Sequence, residues 1–400
     1  MASTEAHKQV GIAVIGFGGL IGRRHTAHVL SNPSATLVAV VDGAPGASEL
    51  ATQLAPGVPY YKSVTEMLSI SIPDAAVVCT PNAYHVSVGL ELADAGVHLL
   101  VEKPLADTKA AARTLVDRAR EKGVKLLVGH HRRFNPYVVA AQKVLTASDE
   151  KLGTSSVGLV TAISGLWTTY KPDDYFATAP WRRSRKLGGG PTMINFVHEV
   201  DILQYLLGPI TRVGAEKMRQ RYSSEVGDAN AVEDGAAITL RFASGAVGSF
   251  ILSDGVVSPH NFEAGTGENP LLPRARRPRY EGNNVIDPRV HGEGEPVDVY
   301  RIFGTNGTLS VPDMTLWTCG DKPPSWNNEL QVQRIELDND PRVPFDRQLD
   351  HFIAVVRGET MIENGPGCTG EEGLRVIAVC EAVIAALDDG EGGRVTVNTS

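Results

Sequence analysis

The segment VIGFGGLIGRRH, residues 14–25, decides the fold class of this chain. It follows the hydrophobic run VGIAVIG and precedes a stretch of helical character, so a glycine-rich loop joins a strand to a helix. In that context the loop backbone can approach a pyrophosphate, which the free N–H groups of the helix start then face. We therefore interpret the segment as a dinucleotide-binding loop. The alternative is a tight strand–helix turn that binds no ligand.

The spacing of the glycines departs by one residue from the usual G-x-G-x-x-G fingerprint, because Gly16, Gly18 and Gly22 form G-x-G-x-x-x-G. Gly18 and Gly19 are adjacent positions without a Cβ, so a slightly wider turn can absorb the extra residue. The residues predicted to contact the cofactor in this loop are Gly16, Phe17, Gly18, Gly19, Leu20 and Ile21.

The residue at the end of the next hydrophobic run indicates which nucleotide binds. This run, TLVAVVD, ends in Asp42, 20 residues after Gly22. A carboxylate there can accept hydrogen bonds from both ribose hydroxyls and repels a 2′-phosphate, so it predicts NAD, with NADP as the less favoured cofactor. The alternative is an acidic cap on the following turn.

The composition excludes several classes of protein. The 400 residues are 42% hydrophobic and 21% charged, which is typical of a globular chain with two or three domains. A formal net charge of −8 argues against nucleic-acid binding. We predict no secretory signal and no membrane span, and expect a cytoplasmic protein. The four cysteines are far apart, so we expect buried free thiols and no metal site.

The pattern of strands and helices predicts two domains. From residue 10 to about residue 130, β-branched runs alternate with helix-length segments, as in βαβ units around a parallel sheet. Residues 234–242 and 246–254 then flank Ser244-Gly245 and predict an antiparallel hairpin. We expect an α/β chain with a Rossmann domain, 1–132, and an α+β domain, 133–400. Within the second, the Pro- and Gly-rich stretch 255–297 predicts a functional loop or a poorly ordered one.

Two more strand ends carry polar residues, and ligands of open α/β sheets bind at such carboxyl ends. One strand runs into CTPNAYH, where we predict that Thr80, Pro81 and Asn82 contact the cofactor. His85 either joins them or caps and packs the following helix. Another strand ends in Glu102-Lys103-Pro104. A lysine fixed between a strand end and a proline favours a functional role over that of a solvated surface charge.

A glycine triplet at 188–190 leads into the third candidate segment, PTMINFVHEVD. Helical spacing places Asn195 and His198 three residues apart on one face, where both can address one ligand. A lone helical histidine is more often a satisfied core residue. Its combination with the glycine triplet and the strand-end lysine favours a site.

Together these motifs resemble the Gfo/Idh/MocA family, the relatives of glucose–fructose oxidoreductase and inositol dehydrogenase. The resemblance spans nearly the whole chain, through the motifs GRRH, CTPNAYH, EKP, GHHRRFNP, WRRSRKLGGG, HEVD, FDRQLDHFIAVVRGE and GEEGLRVIAVCEAV. It implies a Rossmann domain, a second domain with a large, mostly antiparallel open sheet, and NAD(P)-dependent oxidation or reduction of sugars, cyclitols and related compounds. Lys103 corresponds to the family's EKP lysine and His198 to its catalytic histidine. Many members carry an aspartate four residues before that histidine, where this chain has Ile194, with Asn195 next to it.

These assignments lead to predicted roles. His198 is the acid–base group, because an imidazole ordinarily titrates near pH ~6.5. Lys103 stabilises charge that develops on the substrate oxygen, and Asn195 orients substrate or imidazole. Further predicted cofactor contacts are His85, Glu102, Lys103, Arg132, Trp181 and Arg182. The predicted substrate contacts are Lys103, Arg133, Asn195, His198 and His260.

The expected activity is hydride transfer between NAD and a hydroxyl or carbonyl carbon of a small polyhydroxy compound. Two other classes stay open at this point. One is an NAD-dependent glycosidase, in which transient oxidation labilises a glycosidic bond; the other is a redox-silent regulator that binds NAD and sugar. The open sheet of the second domain favours a homodimer or homotetramer.

Overall fold

The computed structural model describes residues 8–147, 156–221, 230–269, 272–276, 279–281, 284–286, 296–389 and 393–398. Its strands are β1 Val10–Ile15, β2 Ala35–Val41, β3 Tyr60–Tyr61, β4 Ala75–Val78, β5 His98–Val101, β6 Leu126–Val128, β7 Val160–Thr168, β8 Ile210–Lys217, β9 Gly235–Phe242, β10 Val247–Ser253, β11 Arg279–Glu281, β12 Asn284–Ile286, β13 Tyr300–Gly304, β14 Gly307–Val311, β15 Thr315–Thr318, β16 Gln331–Arg334, β17 Cys368–Thr369 and β18 Arg394–Thr396. Its α-helices are α1 Leu20–Ser31, α2 Ala47–Leu54, α3 Val64–Ile70, α4 Asn82–Asp94, α5 Lys109–Lys122, α6 Pro136–Thr146, α7 Asp173–Ala177, α8 Val197–Leu207, α9 Phe262–Thr266, α10 Pro344–Val356 and α11 Gly370–Asp388.

The chain divides into two compact units. The first comprises residues 1–134 and 341–378, and the second comprises residues 135–340 and 379–400. The domains expected from the sequence, 1–132 and 133–400, differ from these units in the segment 341–378, which contains α10. The hydrophobic face of an amphipathic helix does not specify which sheet it covers, so chain order alone left this segment in the second domain.

In the described part of the first unit, seven strands form one sheet in the order β17-β6-β5-β4-β1-β2-β3. Strands β1 to β6 are parallel, and β17 is antiparallel to β6. From β1 the chain builds outward through β2 to β3 and then returns to add β4, β5 and β6 on the other side. The order therefore reverses between β1 and β4, which places a crevice for ligands outside the carboxyl ends of these two strands. The predicted Rossmann sheet is confirmed.

Both faces of this sheet are buried, which explains the near-continuous hydrophobic runs. Along β1, Ile12 and Val14 belong to one hydrophobic cluster, whereas Ala13 and Ile15 belong to another. The first cluster includes residues of α1, α2 and α10, and the second includes residues of α3, α4, α5 and the start of α11. Helices therefore cover the sheet on both sides, and its carboxyl-end crevice is left to the loops.

In the described part of the second unit, nine strands form a sheet in the order β16-β15-β14-β13-β7-β10-β9-β8-β18. Strands β7 and β10 are parallel neighbours, and the other pairs are antiparallel. The expected hairpin is present as β9 and β10, with Gly245 at φ +94° in its turn. The prediction of an α+β region on a large, mostly antiparallel sheet is confirmed.

The predicted loop 255–297 contains the short helix α9 and the two-stranded ribbon of β11 and β12. Residues 270–271, 277–278, 282–283 and 287–295 of this stretch lie outside the described residues. The four cysteines are not joined in disulfides; Cys368 and Cys380 are buried, as predicted, whereas Cys79 and Cys319 are half-buried. Among the helices that the structure describes, none has both the length and the apolar character needed to cross a membrane.

Candidate active site

Two glycines give the loop after β1 its shape. Gly16 has φ +78°, and a Cβ built there would lie 2.7 Å from the backbone nitrogen of Thr80. A Cβ on Gly22 would lie 2.2 Å from the carbonyl oxygen of Gly16. Side chains at these positions would therefore push the end of β1 away from the end of β4 and lift α1 off the loop. The extra residue lies before Gly22, where Gly19 is the N-cap of α1.

The side chains of this loop divide between core and surface. Phe17 is completely buried and packs edge-on against Tyr60, with 6.4 Å between ring centroids. Its ring therefore belongs to the core, and only its backbone can contact a cofactor. Leu20 is 73% exposed at the start of α1, and Ile21 is half-buried beside it. The N–H groups of this first helical turn have no carbonyl partner within the helix and can serve an anion.

Asp42 lies at the end of β2 beside the glycine loop. Its Oδ2 accepts a hydrogen bond from the backbone N–H of Gly18 at 2.9 Å, and its Oδ1 accepts one from the N–H of Ala44 at 2.9 Å. These bonds fix the carboxylate and leave it lone pairs for ribose hydroxyls, because each carboxylate oxygen can accept two hydrogen bonds. The half-buried Asp42 is thus fixed beside the glycine loop, and its contact with the ribose stays a prediction.

The loop after β4 offers a hydroxyl and a second helix start. Within the described residues, the buried Thr80 Oγ1 has no hydrogen-bond partner. Asn82, after Pro81, is the first residue of α4. Buried polar atoms are rarely left unsatisfied, so the Thr80 hydroxyl fits a site that a ligand completes.

His85 holds two loops together. Its Nε2 lies 2.8 Å from the carbonyl oxygen of Thr80 and its Nδ1 lies 2.8 Å from that of Pro104. Burial lowers the pKa of His85, and its bonds to the carbonyls only partly offset this. A neutral imidazole has one N–H, so it donates to one of the two carbonyls at a time. With its ring buried, His85 takes the packing role that was the alternative to a cofactor contact.

Glu102 positions the backbone of Lys103. Its Oε1 lies 2.8 Å from His25 Nε2, and its Oε2 accepts a hydrogen bond from the N–H of Lys103 at 3.1 Å. Burial opposes ionisation of this carboxyl, but the hydrogen bond and charge of His25 outweigh it and lower the pKa of Glu102 to about 2. Gly129 provides the space, because a Cβ there would lie 2.9 Å from the Glu102 carboxyl carbon. The predicted cofactor contact of Glu102 is therefore replaced by a supporting role beneath Lys103.

The guanidinium of Arg133, a predicted substrate contact, is bonded to groups of the protein itself. Its guanidinium donates to Glu372 Oε1 at 2.9 Å and to the carbonyl oxygen of Gly367 at 3.2 Å, and the residue is 1% exposed. It ties the first turn of α11 and the segment before it to the short 3-10 helix His131–Phe134, so the predicted substrate contact is corrected to an internal ion pair. Arg132 is buried in the same turn.

The glycine triplet of the second unit leads into a π-helical turn, Thr192–Phe196, directly followed by α8. Gly190 has φ +90° and lies against Glu233, whose Oε1 accepts a hydrogen bond from the N–H of Thr192 at 2.9 Å. Asn195 and His198 are both buried, on either side of the junction between the two helix types. Ordinary α-helical spacing is therefore interrupted between them, in a kind of turn that is frequent at functional sites.

Lys171 binds Asn195 and is the residue that sequence reasoning missed. Its Nζ donates to Asn195 Oδ1 at 2.6 Å and lies 3.8 Å from Asp254 Oδ2. Lys171 follows β7 and Asp254 follows β10. Because these parallel strands pair Thr168 with Ser253, both residues emerge at the same edge of the sheet.

Burial raises the pKa of Asp254 to about 6, although the neighbouring cations Lys171 and Arg221 favour its ionised form. Arg221 Nη2 lies 3.2 Å from Asp254 Oδ1. The carboxyl groups of Asp234 and Glu233 contribute to the raised pKa through repulsion. Asp254 therefore changes its charge close to neutral pH, unlike an ordinary surface aspartate.

The remaining predicted site residues, Trp181, Arg182 and His260, also belong to the second unit. The Arg182 guanidinium stacks on Tyr175 at 3.8 Å from the ring centroid, and Trp181 beside it is exposed. His260 Nδ1 donates a hydrogen bond to the carbonyl oxygen of Asp298 at 3.1 Å. Its own carbonyl accepts the N–H of Thr168 at 2.8 Å, which places His260 at the end of β7.

The titration of Asp254 predicts a pH-dependent stability. The pKa of Asp254 is about 6 in the folded protein, against 3.8 for an ordinary aspartate. Between pH 3.8 and pH 6 the folded protein therefore keeps a proton on Asp254 that the unfolded chain has released. This contribution is complete below about pH 4 and is lost as the pH rises through 6. When the pH is lowered from 7 to 4, we expect the free energy of unfolding of the parent to increase, relative to that of Asp254→Asn, by on the order of 2 kcal/mol.

Denaturant unfolding at a series of pH values measures this difference. Asp338→Asn, at an exposed position, is the matched control and should follow the parent at every pH. Parallel pH curves for the parent and Asp254→Asn would contradict the prediction.

Comparison with known proteins agrees with these features. Residues 10–130 match the family model described as an oxidoreductase family with an NAD-binding Rossmann fold, and residues 150–397 match that of its C-terminal alpha/beta domain. The chain is 30% identical over 371 residues to inositol 2-dehydrogenase of Rhizobium meliloti (strain 1021), covering 92% of this chain and 94% of the relative. It is 29% identical over 319 residues to scyllo-inositol 2-dehydrogenase (NADP(+)) of Bacillus subtilis (strain 168), covering 78% and 76%.

Solved structures show the same fold. The WlbA dehydrogenase from Bordetella pertussis, in complex with NADH and UDP-GlcNAcA, aligns with a TM-score of 0.71 at 22% identity, over 98% of this chain and 99% of that chain. The two family models together span most of the sequence, in the order Rossmann domain and then alpha/beta domain. The chain belongs to the Gfo/Idh/MocA family of oxidoreductases.

Proposed function

We propose that this protein is an NAD-dependent dehydrogenase that transfers a hydride between the nicotinamide and a hydroxyl-bearing carbon of a sugar, cyclitol or related polyhydroxy compound. The observation that carries the proposal is the glycine loop at the reversal of strand order between β1 and β4. There Gly16 lies against the backbone of Thr80, and Asp42 accepts a hydrogen bond from the N–H of Gly18. The similarity to inositol 2-dehydrogenase supports the substrate class.

The residues at this crevice fit a dinucleotide. The first turn of α1 would hold the pyrophosphate, Asp42 the adenosine ribose, and the Thr80 hydroxyl a further polar group of the cofactor. When bound, NAD supplies the hydride acceptor for alcohol oxidation. The fixed anion of Asp42 favours NAD over NADP because it would repel a 2′-phosphate.

The protein's own residues move the proton and stabilise charge. Oxidation of an alcohol requires a base for the hydroxyl proton, and we assign this role to His198 because an imidazole suits acid–base work near neutral pH. Lys103, fixed through its backbone by Glu102, stabilises the negative charge that develops on the substrate oxygen. Asn195 orients the substrate.

The two alternative functions have less support. A redox-silent regulator would need neither Lys103 nor His198, yet both are present. An NAD-dependent glycosidase would use the same residues, but the relatives compared above are named as dehydrogenases. Following NADH absorbance with sugars, cyclitols and glycosides separates the classes, because a glycosidase releases product without net formation of NADH.

We also propose a homodimer or homotetramer built on the sheet of the second unit. Val247 and Phe303 both pair with Ala162, and a cross-strand row continues from Phe303 through Thr308 to Trp317 and Val332. Val247, Phe303, Trp317 and Val332 are at least 37% exposed. An apolar row of this extent on one sheet face fits a second copy of the chain, and sedimentation velocity measures the assembly.

Cofactor preference tests the role of Asp42. We expect the parent to bind NAD at least tenfold more tightly than NADP, a difference of about 1.4 kcal/mol. Asp42→Ala should narrow that gap. Asp42→Asn should also narrow it while keeping an oxygen for the Gly18 N–H, which separates the loss of charge from a disturbed loop. Equal affinities of the parent for NAD and NADP, measured by calorimetric titration, would argue against the assignment.

The glycine loop is tested with Gly18→Val, because a Cβ at Gly18 would lie 2.9 Å from Asp42 Oδ2. We expect loss of NAD binding by calorimetry with a folded circular dichroism spectrum. Gly19→Ala is the folding control, since its Cβ would meet its nearest neighbour at an ordinary 3.7 Å and its circular dichroism spectrum should stay parental, with a loss of stability of at most about 1 kcal/mol for an alanine at the N-cap. Unchanged NAD affinity of Gly18→Val would show that the loop is only a turn.

The roles of His198 and Lys103 separate in a pH–rate profile with saturating NAD. His198→Ala should lower kcat by roughly 10²–10⁴ and remove the ascending limb for alcohol oxidation, while NAD affinity stays at the parental value. Lys103→Ala should also lower kcat but retain that limb, because its role is electrostatic. A His198→Ala variant with the parental kcat and pH dependence would refute the mechanism.

A further inference from the structure

The backbone around Lys171 is held from both sides. Its N–H donates to the carbonyl oxygen of Asp254 at 2.8 Å, and its own carbonyl accepts a hydrogen bond from Arg221 Nη1 at 3.1 Å. The preceding residue, Tyr170, forms a β-bridge with Gly255. The side chain therefore starts from a fixed point at the edge of the sheet, and it is only 12% exposed.

The Lys171 ammonium is surrounded by groups that favour its charge. It lies 4.6 Å from the ring centroid of Tyr175 and 5.2 Å from that of Trp167, within the range of cation–π attraction. Asp254 Oδ2 lies 3.8 Å away, close enough for Coulomb attraction but too far for a hydrogen bond. The short contact of 2.6 Å to Asn195 Oδ1 is a charge-assisted hydrogen bond, a stronger kind than a neutral one.

This bond fixes the direction of the Asn195 carboxamide. A lysine ammonium has three donors and no acceptor, so the atom of Asn195 that faces it must be the oxygen. The NH2 group is then on the other side of the amide. An ionised aspartate at the same place could only accept hydrogen bonds, whereas an asparagine held in this way presents its two N–H donors on the side away from Lys171.

We propose that Lys171 is a positioning residue of the substrate site, which holds Asn195 Oδ1 so that the Asn195 NH2 donates to the substrate oxygen at the carbon being oxidised. The proposal rests on the proposed function. A hydrogen bond to that oxygen strengthens as the alcohol loses its proton and alkoxide charge develops, and it weakens again when hydride loss gives the neutral carbonyl. The positive charge of Lys171 on the amide oxygen polarises the amide and makes its N–H groups better donors.

The kinetic test compares the parent with Lys171→Met in the full chain. Because the Asn195 NH2 acts mainly as charge develops, kcat and kcat/KM for alcohol oxidation should both fall, by roughly 10- to 100-fold, with little change in KM or in NAD affinity. Lys171→Arg keeps a cationic donor and should recover part of the rate. Lys322→Met removes an exposed lysine and should keep the parental kcat.

A double-mutant cycle distinguishes positioning from a general structural role. If Lys171 acts through Asn195, adding Lys171→Met to Asn195→Ala should change kcat by less than about twofold. An equal loss in both backgrounds would overturn the proposal, as would a parental rate for Lys171→Met. If Lys171→Met fails to fold by its thermal midpoint, Lys171→Gln, which keeps a neutral donor, takes its place in the cycle with the same criteria.

A measurement without turnover separates this proposal from the proposed function. In protein labelled with 15N-asparagine, the side-chain NH2 signals of Asn195 are identified by their loss in Asn195→Ala. Lys171→Met should shift these signals, and Lys322→Met should not. Unshifted signals overturn the positioning role whatever the activity. If Lys171→Met shifts these signals but the parent forms no NADH from any polyhydroxy compound, the result contradicts the proposed function and leaves the positioning role intact.

Discussion

The close approach of Gly16 to the backbone of Thr80 is the constraint on which the first unit depends. Gly16 has φ +78°, and a Cβ there would lie only 2.7 Å from the backbone nitrogen of Thr80, so the chain can pass this close to the end of β4 only with a glycine at this position. The strand order reverses between β1 and β4, which leaves a crevice at this point, and α1 begins four residues after Gly16. Gly18, Asp42 and Thr80 come together because they follow β1, β2 and β4, which lie next to one another in the sheet.

A second pair of parallel strands creates the corresponding edge in the otherwise antiparallel sheet of the second unit. Because β7 and β10 run in the same direction and in register, the residues that follow them emerge together. Lys171 and Asp254 are 83 positions apart in the chain and become neighbours for this reason alone. In both units, therefore, a lysine followed by a proline lies just after the end of a strand that has a parallel neighbour.

Much of the fold could be predicted because it is written in local patterns. The buried strands of the first unit are hydrophobic on both faces, and the β9–β10 hairpin carries its turn glycine, so both were recognisable. The argument that singled out Lys103, a lysine between a strand end and a proline, applies equally to Tyr170-Lys171-Pro172 and would have found Lys171. His85 and Arg133 were predicted to contact ligands, whereas their hydrogen-bond partners lie within the protein. The residue type of a polar side chain does not reveal such internal partners.

The balance of charge around Lys171 bears on what this edge can recognise. Two cations, Lys171 and Arg221, face the carboxylate of Asp254, and the N–H of Arg221 donates to Asp234 Oδ2. With both carboxyls ionised, these four side chains carry no net charge, so the cluster does not attract anions through its overall field. The cluster instead fixes the orientation of the Asn195 amide, because the Lys171 ammonium holds its oxygen and leaves its neutral NH2 group as the donor. A neutral donor stabilises an oxygen that gains charge and adds no anion beside the imidazole of His198, which an aspartate would do.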